Sequence, residues 1–214
     1  MGRILEACCV SPEEVRRAAV NGAGRIELCE CLEVGGVTPS DSAIAESVAS
    51  GLPVFVLVRP RGGSFVFNAE EERQMSLSIR KCRDLGAAGV VIGALNADGT
   101  VDIEMMRRLV AEARGNGTER PLGLTFHRAF DEAADPFTAF ETIIGLDFDR
   151  ILTSGQKPSA FEGRALIAQL VEKAAGRIII MPGAGITPDN LEIIANDTKA
   201  VEFHGTRICS RNQY

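Results

Sequence analysis

Ile4-Leu5-Glu6-Ala7-Cys8-Cys9-Val10-Ser11-Pro12-Glu13-Glu14 is the stretch on which the fold turns. Its first seven residues are a short apolar run in which Glu6 and Cys8 share one parity, so in a strand their side chains leave the same face. A helix start follows at once: Ser11 suits a cap, Pro12 the first helical position, and Glu14 stands three residues beyond the cap. A doubly wound sheet that binds a dinucleotide would leave its first strand through a G-x-G-x-x-G turn. This one leaves through Cys8-Cys9-Val10-Ser11-Pro12.

The same unit recurs along the chain. Apolar runs at Ile4–Val10, Arg25–Glu30, Val54–Pro60, Gly89–Leu95, Leu122–Phe130, Arg150–Gly155, Arg177–Ile186 and Ala200–Thr206 end in polar, reactive or glycine residues. Cap signals recur at Asn68-Ala69-Glu70-Glu71 and Ser159-Ala160-Phe161-Glu162, and Pro136 and Pro188 fit first helical positions. Apolar residues then return at helical spacing, as in Ile103, Met106, Leu109, Val110 and Ala113. Eight strand–helix units predict a TIM-type (β/α)8 barrel, read as one domain over 1–214, with its functional face at the strand C-termini. The eighth run is followed by only eight residues, so a complete closing helix is not expected. Val201 and Phe203 are then expected to be covered by Ile208 and the tail or by a second subunit, a homodimer being the commonest arrangement.

A net charge of −6 over 214 residues argues against a nucleic-acid partner, which needs clustered Lys and Arg. No apolar run reaches membrane-spanning length and no leader precedes the first strand, so a cytoplasmic protein with no membrane partner is expected. The six cysteines, at 8, 9, 29, 31, 82 and 209, then read as thiols rather than disulfides.

Strand parity selects the candidate site. Charged side chains face the helix layer only at high cost, so their parity marks the lumen. Glu6 and Cys8, Glu27 and Cys29, Thr125 and His127, and Glu202 and His204 therefore point inward, with Arg59 and Arg61 at the end of the third run. Neighbouring strands run about 4.8 Å apart, roughly twice a metal–thiolate bond of about 2.3 Å. A soft ion such as Cu(I) would thus fit between Cys8 and Cys29, with Cys31 as a third ligand. Buried cysteines more often serve as small hydrophobes, the role expected of Cys9 and Cys82. A small anionic ligand is the competing reading. Arg59, Arg61 and the Gly183–Gly185 loop would hold it, in the region where barrels often bind phosphate. His127 would polarise it, with Glu6, Glu27, Glu202 or His204 in acid–base roles, as in an isomerase, aldolase or lyase.

Several motifs carry a resemblance. Arg25-Ile26-Glu27-Leu28-Cys29, Gly35-Gly36-Val37-Thr38-Pro39-Ser40, Arg59-Pro60-Arg61-Gly62-Gly63, Thr125-Phe126-His127-Arg128-Ala129-Phe130-Asp131 and Leu152-Thr153-Ser154-Gly155 resemble the CutC copper homeostasis family over nearly the whole chain. The resemblance implies a TIM-type barrel, a cytoplasmic location, self-association and Cu(I) handling. Carried over by position, the copper-binding thiols are Cys8 and Cys29.

Overall fold

The computed structural model describes residues 2–115, 117 and 120–209. Strands and helices alternate along them: β1 (Ile4–Cys9), α1 (Pro12–Val20), β2 (Arg25–Leu28), α2 (Asp41–Val48), β3 (Val54–Leu57), α3 (Ala69–Asp84), β4 (Gly89–Ile92), α4 (Ile103–Arg114), β5 (Gly123–Phe126), α5 (Pro136–Gly145), β6 (Arg150–Thr153), α6 (Ala160–Ala174), β7 (Ile179–Pro182), α7 (Pro188–Thr198) and β8 (Glu202–Gly205). Every strand falls inside one of the eight apolar runs. All ladders are parallel, in the order β7-β6-β5-β4-β3-β2-β1-β8. The sheet curls until Gly183, just past β7, lies against His204 of β8, where an added Cβ would sit 3.2 Å from Nδ1. The result is a nearly closed barrel.

Helix starts follow local chemistry. Pro12, Pro136 and Pro188 occupy first-turn positions, where a missing N–H is no loss. Asn68 and Glu71 form a reciprocal capping box. The other two boxes differ in detail. The Glu14 carboxylate accepts from the Val10 N–H, one residue before the cap, and the Ser159 hydroxyl donates to the Glu162 carboxylate.

Parity divides the core in two. Ile26, Leu28, Val54, Val56, Val90, Ile92, Leu124, Phe126 and Phe203 face the helices, together with Cys9 and Cys82. Cys8, Cys29, Phe55, Leu57 and Val91 pack inside the barrel. Phe55 dictates its neighbours: a Cβ on Gly89 would lie 2.2 Å from its ring and one on Gly123 2.7 Å. β4 and β5 therefore begin with glycine because one phenyl ring fills that level of the lumen.

Below the mouth, the lumen holds an ion cluster. Arg25 donates from Nε to Glu6 and from Nη2 to Glu202 at 2.5 Å, and Arg150 donates from Nε to Glu202 at 3.2 Å. Both guanidiniums stack over Phe55, at 5.3 and 4.9 Å from its centroid.

Among the described residues no helix follows β8. Phe203 and Ile208 are buried by the chain itself, but Val201 is 52% exposed. Val201 precedes β8 and is not covered by the described residues of its own chain.

Candidate functional site

Residues at the C-terminal ends of the strands line a cavity of about 290 Å³, among them Cys8, Glu27, Arg59, His127, Arg128 and His204. They arrive there because inward parity places the last lumen residue of β1, β2 and β8, and residues within two positions of the ends of β3 and β5, at one rim.

Cys8 Sγ and Cys29 Sγ are 3.9 Å apart in a shared contact, and both side chains are buried. Gly36, at φ 85, packs beside this pair: an added Cβ would come 2.8 Å from Leu57 Cδ2 and 3.5 Å from Cys29 Sγ. The contact with Cys29, then burial and the charge of Glu27, hold the Cys8 thiol well above its ordinary pKa. Cys31 is exposed, on a left-handed backbone at φ 52, and does not join the donor group around Cys8, so the expectation of a third thiol ligand is not met. Cys9 and Cys82 are packed in the outer core, where burial pushes both thiols up to about 12.

His204 Nε2 faces Glu27 Oε2 at 3.4 Å. The contact is an ion pair without hydrogen-bond alignment, since neither atom has a hydrogen-bond partner. Burial disfavours the imidazolium, but the charge of Glu27, its contact with the ring and the charge of Glu6 outweigh it, and the pKa of His204 is raised. Together the two groups form a proton-carrying pair at the rim.

His127 behaves in the opposite way. Its Nδ1 accepts the Ala129 N–H at 3.1 Å, which leaves the proton of the neutral ring on Nε2, an atom with no partner. Burial, then the nearby Arg59 charge, lower its pKa to about 3. The ring is set between Phe65, at a centroid distance of 4.8 Å, and Gly93, where a Cβ would lie 2.7 Å from the imidazole. A histidine held neutral in the fold but free to protonate when unfolded makes stability fall with pH. The loss begins near the unfolded value of 6.5, continues toward about 3, and has a limiting slope of about 1.4 kcal/mol per pH unit. His204 has the opposite sign, its contribution being complete below about 6.5 and lost as pH rises through its folded value. Urea unfolding midpoints across the acid range should therefore fall less steeply for His127→Gln than for the unaltered chain. Equal slopes would contradict the assignment.

Other sequence-selected residues lie elsewhere. Glu6 and Glu202 are engaged by Arg25 and Arg150 below the cavity. Arg61 pairs with Glu71 and with carbonyls of its own loop, and it does not line the cavity. Arg59 is buried, and its terminal nitrogens donate to the carbonyls of Val34, Gly36 and Gly63. Only its Nε lacks a partner, so this guanidinium first of all clamps the loops after β2 and β3. Gly185 lines the cavity, whereas Gly183 packs on Leu152 and His204. Thr125 is buried with an unpartnered hydroxyl.

Asp131 escaped sequence reasoning. Its carboxylate accepts from Thr153 Oγ1, from the backbone and hydroxyl of Ser154, and from the Gln156 N–H, and it pairs with Arg128. It ties the loops after β5 and β6 together and fixes one wall of the cavity. Its place four residues after His127 carried the signal, but no strand parity applies in a loop.

Residues 3–209 match the model of the CutC family. The chain is 46% identical over 214 residues to the mouse copper homeostasis protein cutC homolog, covering 99% of this chain and 76% of that one. It is 46% identical over 206 residues to a family protein CutC of Parabacteroides distasonis, covering 95% and 82%. A crystal structure of CutC from Streptococcus agalactiae superposes with a TM-score of 0.89 at 34% identity, over 96% of this chain and 99% of that one. A crystal structure of 2,3-dimethylmalate lyase gives 0.69 at 12% identity, over 96% and 76%, a likeness of barrel fold alone.

Proposed function

The chain belongs to the CutC family, whose mouse and human relatives are named copper homeostasis proteins, and we propose that it takes Cu(I) as cargo on the Cys8–Cys29 pair. The observation that carries this reading is the 3.9 Å separation of two buried sulfurs, one on β1 and one just past the end of neighbouring β2. A soft d10 ion prefers thiolate to oxygen donors. With metal–sulfur bonds of about 2.3 Å, that separation corresponds to an S–Cu–S angle of about 120°, so the ion sits in a bent site rather than on a straight line between strands. The raised thiol pKa of Cys8 means that binding displaces a proton that the contact with Cys29, together with burial, otherwise retains. No helix among the described residues is long and apolar enough to cross a membrane, and cargo exchange in this reading takes place at the open barrel mouth.

The experiment is a competitive Cu(I) chelator titration of the unaltered chain and of the Cys8→Ser/Cys29→Ser variant. Stoichiometric binding by the first and its loss in the second is the expected result, with far-UV circular dichroism unchanged. Equal affinity of the two proteins would overturn the proposal.

A further inference from the structure

Thiols are not the only donors at this rim. Cys8, Glu27 and His204, from three adjacent strands, offer a sulfur, a carboxylate oxygen and an imidazole nitrogen that all lie within 4.8 Å of one another. Each residue is more than nine-tenths buried. Glu27 Oε2 and both ring nitrogens of His204 have no hydrogen-bond partner, a costly state for buried polar atoms. The contrast with the other lumen carboxylates is informative. Glu6 and Glu202 each have an arginine, whereas Glu27 faces only His204.

We infer that Cys8, Glu27 and His204 form a binding site for a divalent cation of borderline softness, Zn(II) being the ion that suits the set. One sulfur, one nitrogen and one oxygen are the three ligand types that zinc accepts together, and three protein ligands leave a position open, as in zinc centres that do chemistry. Magnesium and calcium call for oxygen ligands throughout. A thiolate and a carboxylate balance the charge of the dication. The two arginines on the same cavity are held by other groups: Arg59 by the carbonyls of Val34, Gly36 and Gly63, and Arg128 by Asp131 and Ser154. All three ligand residues border the cavity, so the open position faces it. This site goes beyond the Cu(I) reading and shares only Cys8 with it.

The test titrates the full-length, reduced chain with Zn(II) against a chromophoric chelator and, separately, with Co(II) as a spectroscopic stand-in. Stoichiometric Zn(II) binding is expected, and Co(II) should give the intense visible bands of a four-coordinate centre with a sulfur-to-cobalt charge-transfer band. His204→Asn and Glu27→Gln should each weaken Zn(II) by about 100-fold or more while Cu(I) still binds stoichiometrically. Cys29→Ser should do the reverse. Absence of Zn(II) binding, a weak six-coordinate Co(II) spectrum without the charge-transfer band, or unaltered Zn(II) affinity in His204→Asn would each overturn the inference. Loss of Cu(I) binding alone bears only on the thiol pair. The Co(II) spectrum of the unaltered chain keeps the test decisive if a variant fails to fold.

Discussion

Replacing Arg25 with Met should lower the stability of the barrel by about 3–5 kcal/mol, the range for removing one partner of a buried ion pair. Arg25 is 4% exposed and binds two carboxylates at once, Glu6 at 0% and Glu202 at 5%. Met approximates the aliphatic stem and can still touch Met181 and Phe55, which the guanidinium now contacts. The loss is therefore electrostatic more than steric. Arg150 compensates only in part, because it pairs directly with Glu202 and acts on Glu6 through its charge alone. Denaturant unfolding of Arg25→Met beside Arg25→Met/Glu6→Gln separates the two effects: the second substitution removes the stranded charge and should restore part of the loss. A double variant no more stable than the single one would show that the charge of Glu6 is not what Arg25 serves.

That cluster also shows how far the sequence could be read. Inward parity correctly placed Glu6, Glu27, Cys8, Cys29, Glu202 and His204 in the lumen, because alternation along a strand is a local property that tertiary context does not change. The same parity, applied to Arg25 and Arg150, would have supplied the counter-charges. Arg25 stands two residues before Glu27, on the same strand and at the same parity. The division of the lumen into a neutralised lower level and an incompletely satisfied rim was less accessible. It depends on register, which pairs Glu6 with Arg25 and Cys8 with Glu27, and register is set by the whole barrel. Arg61 lies in a loop, where alternation gives no direction, so its engagement with Glu71 followed from no pattern in the chain. The glycines that begin β4 and β5 have a cause in Phe55, a residue of a third strand.

A second large effect is expected where the loop after β6 meets α6. A Cβ on Gly163 would lie 1.8 Å from the Ser154 carbonyl oxygen and 2.8 Å from Gly155 Cα. Both obstacles are backbone, so no rotamer change relieves them, and Gly155 is itself held at φ 70. Gly163→Ala should therefore cost about 3 kcal/mol or more, at or above the upper end for overpacking, despite the better helix propensity of alanine. Gly145→Ala is the control. Gly145 ends α5 with nothing within 4 Å of an added Cβ, and that variant should be neutral or more stable by a few tenths of a kcal/mol. The effect at Gly163 reaches the rim because Ser154 is the residue that Asp131 and Arg128 hold. Moving α6 outward pulls this loop from the cavity wall, so Gly163→Ala should lower the urea midpoint and also raise backbone amide exchange at Ser154 and Gln156. A midpoint equal to that of Gly145→Ala would mean that α6 shifts freely, and that the wall of the cavity is less firmly set than the close approach of the two backbones requires.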